Sequence, residues 1–307
     1  MAFEPRAASF SKTNAQILAQ ASAVAYRQPA QVSKWAAVSG FTGPFDFFDN
    51  ADTQGFVAES PDAIIVAFRG TQPNRPMDWF VDFRATRGAW AHTVGHVHDG
   101  FYSALRNVWG VGNEEILPRR LLNRGNKTIW ITGHSLGGAL AELCAAQALF
   151  VNKIPVQGVY TFGQPRVGDK DFADALNAKL GSGIFRFVND RDIVPRVPLF
   201  TMGFCHYGGQ LSFDHAGQAS NAESAVETLT GALTFAKGAF NLNALGQVAG
   251  LVADGLKSVI TGDFTEEHEK AFRDRAAEIL RGGIEKIEDH SMENHYLVRL
   301  ETKLPSL

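Results

Sequence analysis

Thr128-Ile-Trp-Ile-Thr-Gly-His-Ser-Leu-Gly-Gly-Ala-Leu-Ala141 is the stretch whose reading decides the fold. Thr128, Ile129, Trp130 and Ile131 favour a strand. They run into Gly133-His134-Ser135-Leu136-Gly137, and a small-residue helical pattern continues from Gly138 to about Phe150. A G-x-S-x-G core between a strand and a helix is the signature of a nucleophile elbow, with the serine at the apex of a sharp, strained turn. Gly133 and Gly137 lack the Cβ atoms that would collide where strand and helix close in. The helix that follows aims its N-terminus and its unpaired amides at the place where a negative oxygen would form.

Around this stretch lie 307 residues, 45% hydrophobic and 20% charged, enough to bury a sizeable core. One α/β domain with insertions or two small domains would suit the length; a single domain over 1–307 is the expectation. A net charge of −3 offers no electrostatic footprint for nucleic acid. Cys144 and Cys205 make no disulfide framework and read as reduced thiols. Residues 1–25 lack a continuous apolar h-region, so no signal peptide is recognised, and no apolar run reaches membrane-spanning length. The expectation is a soluble protein, cytoplasmic or exported by a route the sequence does not advertise.

Before the elbow, Ser11 to Tyr26 reads as a helix with Ser11 or Thr13 as N-cap, and 29–53, with its Pro and Gly residues, as mostly loop. Gln54–Glu59 and Ala63–Arg69 look like paired strands, the second apolar on both faces as a covered central strand must be. Within 74–90, Trp79, Phe80 and Phe83 share a face of a short helix, either a surface helix packed on the core or a lid. His92, His96 and His98 are candidate metal ligands by residue type, but no further ligand with recognisable spacing accompanies them, and neither metal nor cofactor is expected.

Beyond the elbow, Val156–Phe162, a helix over Asp169–Leu180 and a strand at Phe185–Val188 alternate as a parallel α/β sheet requires. Residues 212–284 are rich in Ala, Gly, Asn and Leu at helical period and read as a helical insertion: a flank appendage, a cap, or a lipid-surface contact.

A serine hydroxyl needs a neighbouring base, histidine suits, and a carboxylate behind it fixes the tautomer. On this fold the order is Ser, Asp or Glu, then His. Ser135, Asp192 and His290 meet it. Phe68-Arg-Gly-Thr71, Asp78-Trp79 with Asp82, Val97-His-Asp-Gly-Phe101, the elbow itself, Thr161-Phe-Gly-Gln-Pro-Arg-Val-Gly-Asp169 and Asp192-Ile-Val-Pro-Arg-Val-Pro198 together resemble the class 3 lipases, the fungal triacylglycerol lipase-like hydrolases. The resemblance covers about 54–210 and the His290 region.

It implies an α/β-hydrolase fold, a mostly parallel sheet covered by helices on both faces. It also implies a triad of Ser135, Asp192 and His290, an oxyanion hole from Thr71 and Leu136, and a lid over 74–90. Trp79, Phe80, Phe83, His134 and Val194 are the lid and substrate-binding candidates. The implied substrate is a carboxylic ester, an acylglycerol first, met at a lipid–water interface. A short-chain carboxylesterase, a phospholipase A1-type enzyme and a non-catalytic lipid-binding protein are the alternatives. His206 and His295 compete with His290, and Asp190 with Asp192.

Overall fold

The computed structural model describes residues 2–50, 53–70, 87–90, 94–109, 116–189, 192, 194–198, 202–213, 219–220, 292–297 and 300. In chain order the chain forms helix α1 (Lys12–Val24), helix α2 (Pro29–Val38) and strands β1 (Phe45–Asn50), β2 (Thr53–Glu59) and β3 (Ala63–Phe68). There follow the short strands β4 (Arg87–Ala89) and β5 (His96–His98), then helices α3 (Asp99–Trp109) and α4 (Ile116–Leu122). Strand β6 (Thr128–His134) feeds helix α5 (Leu136–Ala146), which widens into a π-helical turn at Gln147–Val151. Strand β7 (Gly158–Phe162), helix α6 (Lys170–Leu180) and strands β8 (Ile184–Asn189), β9 (Gly209–Phe213) and β10 (Ala219–Ser220) come next, and Met292–Leu297 forms a π-helical turn.

Eight strands make one sheet in the order β1-β2-β3-β6-β7-β8-β9-β10. From β3 to β9 neighbours run parallel; β1, β2 and β10 are antiparallel to theirs. Period two divides β3 between two cores: Ile64, Val66 and Phe68 face one, Ala63, Ile65 and Ala67 the other. The first core takes in α3, α5 and α6 through Phe101, Leu105, Leu140, Leu143, Phe172 and Leu176. The second takes in α1 and α2 through Leu18, Ala21, Val32 and Ala36, and the C-terminal turn through Met292 and Tyr296. The sheet is therefore mostly parallel and covered by helices on both faces.

Most expected elements are present, with Ser11 as the N-cap of α1, accepting from the Asn14 amide at 3.1 Å. Residues 29–53 differ from expectation. Pro29 opens α2 because proline suits the first helical turn, and Gln28 and Gln31 cap it reciprocally. Phe45–Asn50 becomes a strand by pairing with β2, although its apolar and acidic residues alternate poorly. The expected boundary of the insertion at 212 falls inside β9, whose Gly-Gln-Leu-Ser-Phe alternation pairs it with β8 and β10. Apart from residues 212, 213, 219 and 220, the insertion range lies outside the described residues, as does 74–86 of the lid range. The last residues of that range, 87–89, form β4, paired antiparallel with β5.

This small hairpin is fastened to the main body through Asp169, the N-cap of α6. The Asp169 carboxylate accepts from the Phe172 amide at 3.0 Å, the His96 amide at 3.0 Å and His96 Nδ1 at 2.9 Å. Burial pushes its pKa up, but the Phe172 amide and both His96 groups outweigh that and leave it below the usual carboxylate value. A folded pKa below the unfolded one means stability held above the unfolded value of about 3.9 and lost as pH falls through the folded one. Asp169→Ala should thus cost about 1 kcal/mol at neutral pH in urea denaturation, the gap from wild type closing as pH drops below about 4.

Candidate active site

Ser135 stands between the end of β6 and the start of α5, with φ 59° and ψ −130°. A side chain in that region costs about 1–3 kcal/mol and persists only where its surroundings force it. Here they do. The Ser135 amide donates to the Phe162 carbonyl at 2.9 Å, and its own carbonyl accepts from the Gly138 amide at 2.9 Å. A methyl at Gly133 would overlap the Gly137 carbonyl, and one at Gly137 the Phe68 carbonyl at the end of β3. Leu136 is the first residue of α5, so its amide is among those a helix leaves without an internal acceptor.

The end of β3 closes on the serine. A Cβ on Gly70 would stand 3.2 Å from Ser135 Cβ and 2.6 Å from the His134 carbonyl, so only glycine lets the chain pass there. Thr71, the expected oxyanion donor, is the next residue in sequence and lies outside the described residues.

Tyr26, just beyond α1, meets the same spot, a contact that the sequence pattern does not signal. Its hydroxyl lies 3.0 Å from His134 Nδ1 and receives the Gly70 amide. Burial raises its pKa, the Gly70 amide and the Arg69 charge opposing weakly, so it stays a phenol. Nothing in the helix pattern of 11–26 points to a partner 108 positions away.

Asp192 is buried, with one oxygen accepting from the Val194 amide at 2.9 Å and the other from the Tyr296 hydroxyl at 2.6 Å. The Tyr296 hydroxyl also accepts from the Asn189 amide at 3.0 Å. Its ring packs edge-on against His134 at 5.8 Å and Phe162 at 6.3 Å. One buried tyrosine therefore touches both the acid's carboxylate and the residue before Ser135. Val194 and His134, expected near substrate, are both buried, Val194 through its amide on Asp192 and His134 between Tyr26 and Tyr296.

His290, Trp79, Phe80, Phe83 and the rival acid Asp190 lie outside the described residues, as does the His295 side chain. The rival His206 has Nε2 on the Pro195 carbonyl at 2.6 Å. Burial holds its pKa well below the usual value, with the Arg186 and Arg166 charges adding to that. Of the three candidate metal-ligand histidines, His92 lies outside the described residues, His96 pairs with Asp169, and His98 accepts from the Phe101 amide at 3.3 Å while packing on that ring. Among the described residues no group of three His, Cys, Asp or Glu side chains could hold a metal ion. Cys144 and Cys205 form no disulfide with each other, and burial raises the Cys144 pKa.

A strained serine at the strand-to-helix elbow of a mostly parallel, helix-covered sheet defines an α/β-hydrolase. The structure superimposes on lipase II from Rhizopus niveus with a TM-score of 0.56 at 26% identity, covering 66% of this chain and 80% of that one. It matches a structure described as a triacylglycerol lipase whose catalytic centre is a serine protease triad, with a TM-score of 0.55 at 26% identity, over 67% of this chain and 82% of that one. The secreted mono- and diacylglycerol lipase A of Penicillium cyclopium is 29% identical over 206 residues, 64% of this chain and 64% of that protein. The chain thus spans just under two thirds of that relative's length. The family model for class 3 lipases matches residues 65–202. Over that stretch the chain is similar to the class 3 lipases.

The hydroxyl of Tyr296 bridges the β8 end and the Asp192 carboxylate. Tyr296→Phe removes a donor to a buried carboxylate and an acceptor for a buried amide, and should cost about 1–3 kcal/mol of stability by denaturant titration.

Proposed function

We propose that the protein is a serine-dependent lipase that hydrolyses carboxylic esters, acylglycerols first, through an acyl-serine intermediate. The observation that carries this reading is the Ser135 elbow: a strained apex, the first amides of α5 beside it, and the end of β3 closed against it at Gly70. The relatives' described activities and the oriented Asp192 carboxylate support it.

In this mechanism His290 takes the Ser135 proton as the hydroxyl oxygen attacks the ester carbonyl. The amides of Thr71 and Leu136 stabilise the oxyanion, with the Thr71 hydroxyl assisting. The imidazolium, steadied by Asp192, gives its proton to the leaving alcohol. Water, deprotonated by the same imidazole, then attacks the acyl-serine, releasing the acid and regenerating Ser135. Trp79, Phe80 and Phe83 in 74–90 supply an apolar lid face that a lipid surface would displace, and 212–284 belongs to the same single domain as a helical addition. No helix of the described residues is long and apolar enough to cross a membrane.

Ser135→Ala should lower turnover by about 10⁴-fold or more with the fold intact, and an active-site phosphonate should label the wild-type serine; near-normal turnover in the variant would refute the reading. His290→Ala should fall comparably while His295→Ala keeps most activity, and the reverse pattern would move the base to His295. Thr71→Val should cost roughly 3 kcal/mol of transition-state stabilisation. A profile of rate against ester chain length, below and above substrate solubility, with a phospholipid arm, separates a lipase from a short-chain carboxylesterase or a phospholipase.

A further inference from the structure

Behind the elbow, on the face of α5 turned from solvent, lies a carboxyl group with no place in the mechanism above. Glu142 is 1% exposed and stands seven residues beyond Ser135, four beyond Gly138 and so on the same helix face as that glycine. Its Oε2 accepts from Nε2 of Gln164, itself 2% exposed, in the loop after β7. The Gln164 stem presses on the first turn of α5, since a Cβ on Gly138 would stand 2.9 Å from Gln164 Cβ and 3.2 Å from its Cγ.

The loop is tied on its other side to the segment that carries the acid. The Arg166 amide donates to the Val197 carbonyl at 2.8 Å, and its guanidinium to the carbonyls of Arg196 at 2.5 Å and Pro198 at 3.0 Å. The loop Gly163–Val167 is therefore a strut between the helix of Ser135 and the segment following Asp192.

One atom of this strut is unsatisfied. Gln164 Oε1 is buried and has no hydrogen-bond partner among the described residues. A buried amide oxygen without a donor costs about 1–3 kcal/mol. A carboxylate beside it can only accept, whereas a carboxylic acid can donate. We propose that Glu142 and Gln164 form a neutral acid–carboxamide pair, Nε2–H to one carboxyl oxygen and the Glu142 O–H to Gln164 Oε1, which makes Glu142 a positioning residue for Ser135. Both hydrogen bonds of the ring are then made, and the first turn of α5 is held at a fixed distance from the acid segment.

Burial favours the neutral acid, raising the Glu142 pKa well above its usual value, while the Arg186 charge and the Gln164 bond oppose it. The other groups facing this site are Arg186, whose Nε donates to the Tyr207 carbonyl at 2.6 Å, and the buried phenol of Tyr207. Burial raises the Tyr207 pKa, with the Glu142 charge adding to that. His206 lies beyond them, next to Arg186 and Arg166.

The kinetic part of the proposal rests on the ester-hydrolase reading, and the spectroscopic part does not. An infrared difference spectrum of wild type minus Glu142→Gln at neutral pH should show a protonated carboxyl C=O band. Glu142→Gln, a neutral isostere, should keep kcat within about twofold, while Glu142→Leu should lose about tenfold or more in kcat with KM little changed. A folded pKa above the unfolded one means the native state binds more protons, so wild type should lose thermal stability relative to Glu142→Gln as pH rises above about 4. Absence of the infrared band, a Glu142→Gln enzyme as impaired as Glu142→Leu, or an unimpaired Glu142→Leu overturns the proposal; should Glu142→Leu not fold, the band and the Glu142→Gln kinetics decide. A wild type without esterase activity would instead sink the ester-hydrolase reading and leave the band and the stability trend to judge the pair.

Discussion

The rest of the structure depends on how closely α5 lies against the sheet. Strand β6 turns into α5 with no loop between them, and the turn closes only because Gly133 and Gly137 present bare backbone to each other and to the end of β3. That closeness forces Ser135 into a conformation an unconstrained chain would leave at once. The same contact brings the chain after β3 to the serine at Gly70, where a Cβ would meet the His134 carbonyl and Ser135 Cβ.

Around that contact the site is assembled from segments distant in sequence. Tyr26 comes from just beyond α1, Gly70 from just beyond β3, Asp192 from beyond β8 and Tyr296 from the turn at Met292–Leu297. The sheet is what lets them meet. In a parallel α/β sheet the carboxyl ends of the strands lie at one edge, and each strand end delivers its residue there. Tyr296 does the work of a crosslink without a covalent bond. Its ring packs on His134 and Phe162 while its hydroxyl fixes the Asp192 carboxylate, so the C-terminal turn is bound to the elbow and the acid together. Loop Gly163–Val167 repeats the pattern on the opposite core, with Gln164 on the helix and Arg166 on the acid segment.

How much of this was legible varies by element. The helix at α1, the β2–β3 pair and the alternation from β6 to β8 follow from local pattern, because hydrophobic period and turn residues act over a few positions. Residues 29–53 read as loop because their prolines and glycines dominated, yet Pro29 starts a helix rather than ending one, and β1 is a strand only through its pairing with β2. His206 was a fair rival in the sequence, since chain order alone permitted it. Its commitment to the Pro195 carbonyl is a tertiary fact.

Taken alone, the sequence determined the elbow, the strand–helix alternation and the order of the three reactive residue types. Each is written in contiguous residues or in their succession along the chain. Only the tertiary structure decided that Tyr26 and Tyr296 flank His134, that Gly70 abuts the serine, and that Glu142 is buried against Gln164. Those contacts join residues between 22 and 162 positions apart, and their pairing is chosen by which side chains fill the space left when helices close on the two faces of a sheet. No local pattern encodes that choice, because it is made by packing the whole chain at once.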